Sequence, residues 1–477
     1  MSRGAAAGAV AAVDLGATSG RVIVGHVGAD TLDMTQVARF PNDPVRTSDG
    51  LHWNILGLYG AATAGLREAF RVAPDITSIG IDSWAVDYAL LRNGRMLGDP
   101  FHYRDERTAA GVDAVHTLLP HSELFERNGL QFLPFNTLYQ LASEPSELLN
   151  FADTALLIPD LLGFWLTGVA RAEVTNASTT GLLRALDHRR DDALIARLGL
   201  PQGILPPLIA PGETLGTLLP EVAAALGARP DAAVTAIGSH DTASAVVAVP
   251  MQADAAAYIS CGTWGLVGVE VARPVLTSEA LAANFTNEGG VDGRVRLLHN
   301  VMGLWVLSEA VRTWERAGHT IDLPTLLDSA EEVSEPSPVF DVNDPRFLAP
   351  GDMPARIDEW CAEHDIRPPR TRAEYARSIV ESLAQAFADA ALEAGRLGGV
   401  DVRTIHIVGG GSLNELLCQR TADRAGLPVL AGPVEATALG NVLVQARATG
   451  LVSGSLESLR HLVARTHAPR RFTPRAS

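Results

Sequence analysis

Two stretches of this chain, just over half its length apart, repeat one pattern. Val13 to Gly20 reads VDLGATSG and Tyr258 to Gly265 reads YISCGTWG; each is an apolar run, then a turn of small and hydroxyl residues, then a second apolar run (Val22–Val24 and Leu266–Val269). A duplicated strand–turn–strand unit demands two similar sheets, each with its own core. It predicts two lobes, residues 1–246 and 247–477, each bringing a small-residue turn to a shared nucleotide cleft. A length of 477 residues suits more than one domain. Apolar runs alternate with helical patterns from end to end, which is the signature of an α/β protein.

The periodicities place several elements. Val10–Val13 and Val22–Val24 predict a hairpin, Thr77–Ile81 a strand, and Ala89–Arg92 a strand leading into the turn Asn93-Gly94. Tyr375, Ile379, Leu383 and Phe387 recur every four residues, predicting a helix from about Glu374 to Ala394. Thr371 and Glu374 would form its capping box; Gly395, Gly398 and Gly399 would end it before a strand at Thr404–Val408. Between about Ile321 and Arg370 the chain turns acidic and proline-rich, which reads as a surface excursion rather than a core.

Composition excludes much chemistry. All 38 basic residues are arginine, and the chain has no lysine. Schiff-base and pyridoxal phosphate chemistry and the lysine-dependent P-loop kinases are therefore ruled out. A net charge of −17 repels phosphate backbones, so no nucleic-acid partner is expected. Cys261, Cys361 and Cys418 are odd in number and widely spaced, which suits neither a disulfide framework nor a zinc site and points to a reducing cytoplasm. The apolar stretch Ala5 to Val13, with only Arg3 charged upstream of it, is too short to span a membrane. It reads as a flexible start running into a buried strand.

Five motifs carry candidate chemistry. In Asp14 to Arg21, backbone N–H groups and the Thr18 and Ser19 hydroxyls suit phosphate oxygens, and Asp14 at a strand end suits Mg²⁺. The same residues also suit an ordinary hairpin with a capping aspartate. Ser260 to Gly265 is a second candidate phosphate loop. Ile405 to Ser412 is a strand ending in three glycines, with Asn414 where a dinucleotide fingerprint needs a further glycine; a flat rest for adenine or ribose fits better. In Gly238 to Ala243, Asp241 stands at a helix start, where it is either an N-cap or a carboxylate kept ionised to accept a proton. In Asp82 to Tyr88, Trp84 suits stacking on a sugar ring and Asp87 suits accepting hydroxyl hydrogen bonds; an edge strand with solvated acids explains the same residues.

Taken together, these segments resemble the FGGY family of carbohydrate kinases, most closely its members acting on L-rhamnulose. The carriers are Val13 to Arg21, Asp82 to Asp87, Tyr103 to Asp105, Leu133 to Gln140, Ser239 to Ala245, Asn287 to Gly290, Asn300 to Trp305 and Ala431 to Ala436. The resemblance implies two actin/hexokinase-like (ribonuclease H-like) lobes closing on ATP and sugar. It implies that Ala17, Thr18, Ser19, Gly20, Arg21 and Thr263 meet the nucleotide phosphates, that Gly410 lies by the adenosine, and that Mg²⁺ sits near Asp14. By the same likeness His240, Asp241, Thr242 and Asn300 hold the ketose, and Asp241 accepts the proton of its 1-hydroxyl. Two positions depart from the family pattern. Ala85 replaces a glycine whose backbone touches the sugar, and Ser308 replaces a glutamine near the nucleotide. Another ketose, a non-catalytic sugar or nucleotide sensor, and an ATP-driven chaperone of the actin-like superfamily are the competing readings. The presence of Asp14, Thr263 and Asp241 speaks against the sensor, and the Trp84, His240 and Asn300 cluster against the chaperone.

Overall fold

The computed structural model describes residues 7–334 and 336–475. Arg3 and the first two residues of the stretch beginning at Ala5 lie outside them. The chain divides into two compact units. The first takes residues 1–250, 271–296 and 436–466; the second takes 251–270, 297–435 and 467–477.

The first unit is built on a six-stranded sheet. Its strands are β1 (Gly8–Leu15), β2 (Ser19–Val27), β3 (Leu32–Pro41), β4 (Ser78–Ser83), β5 (Thr214–Thr217) and β6 (Ala233–Thr235), in the order β5-β6-β4-β1-β2-β3. β1 is buried from Ala9 to Leu15: strands flank both its edges, and the helices Ile55–Val72 and Ala436–Ala448 pack against it; a central strand covered on both faces reads as an unbroken apolar run rather than an alternation. β1 and β2 form the expected antiparallel hairpin, and β4 runs parallel to β1 with Asp14 opposite Asp82. The strand Tyr88–Arg92 ends at Asn93 and Gly94, both with positive φ, as a tight hairpin turn requires.

In the second unit β7 (Ala256–Cys261), β8 (Trp264–Val271), β9 (Val295–Met302), β10 (Thr404–Val408), β11 (Val429–Ala431) and β12 (Arg470–Phe472) follow the order β9-β8-β7-β10-β11-β12. β7 pairs antiparallel with β8 and parallel with β10, just as β1 pairs with β2 and β4. The internal echo is therefore one local topology used twice.

The long helix spans Arg372–Gly398, with the Thr371 hydroxyl accepting the Glu374 N–H. Two details differ from the sequence expectation. Glu374 reaches back to the N–H of Arg370 instead of Thr371, and Gly395 sits inside the helix, which ends on left-handed Gly399. The acidic, proline-rich stretch 321–370 is also corrected. It forms the helices Leu323–Glu331 and Met353–Glu363 and buries Phe340, Val342, Phe347, Ile357 and Trp360. Its polar composition covers the outer faces, while these large apolar residues build a packed cluster; Phe340 lies 5.0 Å from Phe347 and 6.1 Å from Trp360. Among the described residues no helix is long and apolar enough to cross a membrane.

Candidate active site

In the first unit the candidate residues gather at the C-terminal ends of the parallel strands β1, β4 and β6, where open α/β sheets bind ligands. β1 ends in Asp14-Leu15, and the turn Gly16–Thr18 follows, half-buried at Gly16 and Ala17 and exposed at Thr18, closed by the Gly16 N–H donating to Ser19 O at 2.9 Å. Across the hairpin Arg21 Nε donates to Asp14 Oδ2 at 2.9 Å. β4 ends in Asp82-Ser83, and the Ser83 N–H donates to Ser239 O at 2.9 Å. That bond ties the Trp84-Ala85 turn to the segment carrying His240, Asp241 and Thr242.

Asp82 is fully buried and holds its proton well above the ordinary carboxylate range. Burial is the main cause, followed by the charge of Asp14; Asp241 adds to it, while the Asn441 hydrogen bond and Arg21 oppose it. Asn441 Nδ2 donates to Asp82 Oδ2 at 2.5 Å, whereas buried Asp82 Oδ1 has no hydrogen-bond partner. Asp14, Asp82 and Asp241 thus lie within electrostatic reach of one another.

Asp241 opens the helix Asp241–Val247 as its first residue, and the cap position belongs to His240. Its Oδ1 accepts from the Thr242 N–H at 2.5 Å and the Thr242 hydroxyl at 3.1 Å, and lies 3.4 Å from His240 Nε2. No described residue donates to Oδ2, and the side chain is 32% exposed. One oxygen is thus held by its neighbours while the other is available to a substrate. The segment is set from behind by buried Glu173, which accepts the Ser239 N–H and hydroxyl, both at 2.9 Å, and the Thr175 and Asn176 N–H groups. The helix itself rests on the helix Ala436–Ala448, where Gly440 meets the backbone of Ser244.

The aromatic segment differs from its sequence reading. Trp84 packs against Trp53 with ring centroids 3.9 Å apart and the planes tilted by 32°, and its indole N–H donates to Asp87 at 3.0 Å. Asp87 accepts from Trp53, Trp84, Tyr103 N–H and Gln140, so both its oxygens serve protein donors rather than solvent. Burial outweighs these bonds and pushes its pKa to about 7. Val86 between them has φ 67°, a strained conformation for a β-branched residue, fixed by Thr137 and Gln140 donating to its carbonyl. Half-buried Ala85 precedes it. Ala85→Gly removes one methyl group, worth about 1–3 kcal/mol at most in a tight pocket. The expected result is a changed sugar KM or ketose ranking with ATP KM little altered, read from steady-state kinetics on both substrates.

In the second unit the echo turn, Gly262-Thr263, is half-exposed to exposed and joins β7 to β8. Gly262 O accepts from Leu304 N–H at 2.9 Å and Thr263 O from Trp305 N–H at 3.3 Å, which sets the start of the helix Trp305–Arg316 against the turn. Exposed Ser308 stands one turn along that helix. Gly409 and Gly411 press on Cys261, the last residue of β7; a Cβ on Gly409 would lie 2.9 Å from the Cys261 carbonyl oxygen. Exposed Gly410 is thereby held beside the Thr263 turn. Asn414 caps the following helix through the Leu417 N–H. Asn300 lies half-buried in β9. Sequence reasoning assigns no role to Glu173, Glu288, Arg296, Gly440 or Asn441, since their partners are remote in the chain. Only Glu288 lies in a quoted motif.

Comparison with known proteins agrees with this arrangement. Residues 9–248 match the N-terminal domain, and residues 257–449 the C-terminal domain, described as "FGGY family of carbohydrate kinases". The chain is 42% identical over 475 residues to a rhamnulokinase of Pectobacterium carotovorum, covering 98% of this chain and 93% of the relative. It is 38% identical to a rhamnulokinase of Bacteroides thetaiotaomicron, covering 97% and 95%. Among solved structures it is similar to a gluconate kinase from Lactobacillus acidophilus (TM-score 0.79, 17% identity, 98% and 94% covered) and to Plasmodium falciparum glycerol kinase with ADP (TM-score 0.76, 15% identity, 99% and 95% covered). These distant likenesses show the two-domain α/β fold, and the family matches go further: the chain belongs to the FGGY family of carbohydrate kinases, enzymes that pass a phosphoryl group from ATP to a sugar.

Proposed function

We propose that this kinase phosphorylates L-rhamnulose at its 1-hydroxyl, forming L-rhamnulose 1-phosphate and ADP in the cytoplasm, with Asp241 as the proton acceptor. The observation that carries the chemistry is the asymmetry of Asp241, whose Oδ1 is held by Thr242 while Oδ2 has no donor among the described residues. A carboxylate with one oxygen held and the other open is placed to take a hydroxyl proton. His240 and Thr242 orient the sugar beside it, with Asn300 as a further sugar contact. Ala17 to Arg21 and Thr263 meet the phosphates, Gly410 the adenosine, and Ser308 the nucleotide. Residues 1–246 form the sugar-side lobe in this reading, and 247–477 the lobe with the second phosphate loop and adenosine pocket.

Without lysine, arginine, backbone amides and a metal must carry the positive charge. The unpartnered, buried Oδ1 of Asp82, next to Asp14, is suited to Mg²⁺ or to its water shell, and a bound cation would displace the proton that burial and the Asp14 charge otherwise keep there. Among the described residues no three His, Cys, Asp or Glu side chains form a metal cluster, so phosphate oxygens and water would complete the shell. When bound, Mg²⁺ supplies charge neutralisation on the transferring phosphoryl group.

The identity of the ketose rests on likeness to rhamnulokinases across nearly the full chain. Following ADP release with ATP and Mg²⁺ over a panel of sugars is the direct test. L-Rhamnulose is expected to exceed D-xylulose, L-fuculose and glycerol in kcat/KM. A higher value for any of those three overturns the substrate while leaving the kinase chemistry intact.

A further inference from the structure

His240 is gripped by a buried pair that no motif announces. Arg296, in β9 and fully buried, places Nη2 3.1 Å from His240 Nδ1 and 3.1 Å from Glu288 Oε2, while its Nε donates to Gly289 O at 2.9 Å. Glu288 Oε2 itself lies 3.3 Å from the same ring nitrogen. Burial pushes the Glu288 carboxyl up, but Arg296 and His240 outweigh it, and the net shift is downward. The group facing Arg296 and His240 is therefore a carboxylate.

A guanidinium has five N–H donors, no acceptor, and does not lose its proton. Its 3.1 Å contact with an imidazole nitrogen is a hydrogen bond only if that nitrogen offers a lone pair. The Arg296 contact is the shorter of the two at Nδ1 and the one with hydrogen-bond geometry, whereas Glu288 Oε2 sits at ion-pair distance from the guanidinium and the ring and takes no hydrogen bond from either. The ring's hydrogen must then sit on Nε2, which is 3.4 Å from Asp241 Oδ1.

We infer that Arg296 is a positioning residue that locks His240 in the Nε2–H tautomer, so that His240 serves the sugar as a hydrogen-bond donor and leaves Asp241 as the only proton acceptor of the pair. This deepens the proposed sugar-kinase reading and rests on it for the sugar's presence. It does not depend on which ketose is used. The ring cannot compete with Asp241 for the hydroxyl proton, because its one lone pair faces away and is occupied. A sugar oxygen accepting from Nε2–H is also oriented with its own hydrogen free to point at Asp241.

The tautomer is read directly from ¹⁵N–¹H long-range correlations on the full chain labelled in histidine nitrogen, with His240→Gln identifying the resonance. A neutral ring protonated on Nε2 at pH 7.5 is expected; an Nδ1–H tautomer or an imidazolium overturns the inference, whatever the substrate panel shows. Kinetics give a second readout. Glutamine carries its amide N–H near the position of Nε2 and asparagine near that of Nδ1. His240→Gln should therefore keep sugar KM within about tenfold of the parent while His240→Asn raises it by about a further tenfold, the size of one hydrogen bond. The reverse ranking overturns the assignment. Arg296→Met combined with Glu288→Gln, which leaves no unpaired buried charge, should raise sugar KM about 10–100-fold, the range of a lost charge-assisted bond, with ATP KM within about twofold. An unchanged sugar KM in a folded double variant overturns the positioning role. If that variant does not fold, the tautomer of the parent decides. Absence of phosphorylation with every sugar would instead sink the kinase reading, while the nitrogen spectrum still answers for the tautomer.

Discussion

Asp241→Asn is expected to lower kcat by about 10²–10⁴-fold, the usual size of a general-base contribution. Asparagine keeps the size of the side chain and its carbonyl oxygen still accepts the Thr242 N–H, so the contact that Oδ1 makes at the helix start survives. What is lost is the basic oxygen, Oδ2, on which no described residue donates. Stability should change by no more than about 0.5 kcal/mol, because the hydrogen bond to the Thr242 N–H is kept and the side chain is partly exposed. Nucleotide affinity should stay near the parent value, because the turn 16–19 proposed to meet the phosphates is closed by its own backbone bond. Thermal melting, ATP titration and steady-state rates on one sample separate these effects. A variant keeping more than about a tenth of the parental kcat would sink the general-base role.

The second large effect is expected from a residue remote in sequence from Asp241. Gly440→Val should lower stability by about 1–3 kcal/mol or more, the range for overpacking a tight core. It should also cut kcat by about 10²-fold, as displacement of a catalytic group by about 1 Å does. A Cβ at Gly440 would clash with the carbonyl of Ser244, whose carbon would lie 2.5 Å away. Ser244 is on the third turn-forming position after Asp241 in the same short helix, so relieving the clash must move the carboxylate. Backbone rather than a flexible side chain receives the collision, which leaves little room to adapt. Gly60 provides the contrast. It lies inside the helix Ile55–Val72 with open space where a Cβ would go. Gly60→Ala should stabilise the protein by up to about 1 kcal/mol through helix propensity alone. Melting curves and rates of the two variants check the pair. A Gly440→Val protein that melts and turns over like the parent would show that the helix contact does not position Asp241.

The sequence by itself determined the local architecture. β1 is readable because an unbroken apolar run can be satisfied only by burial on both faces, and both hairpins because small residues interrupt two such runs. The long helix is readable because a four-residue period and a Thr371 cap are properties of neighbours in the chain. The turn and loop residues proposed to act on ATP and sugar were legible for the same reason: Asp14 to Arg21, Gly238 to Thr242 and Gly409 to Ser412 are contiguous motifs. Tertiary structure alone decided how their carboxylates and rings are set. Asp82 takes its partner from Asn441, Ser239 rests on Glu173, His240 faces Arg296, and Trp84 is turned onto Trp53. The stretch 321–370 shows the same divide, since its composition suggests a surface excursion although its large apolar residues are buried. The physical reason is range. Propensity, capping and periodicity act between residues a few positions apart, whereas burial and the pairing of buried charge depend on which distant segments pack together, and that packing sets protonation and hydrogen-bond direction at the site.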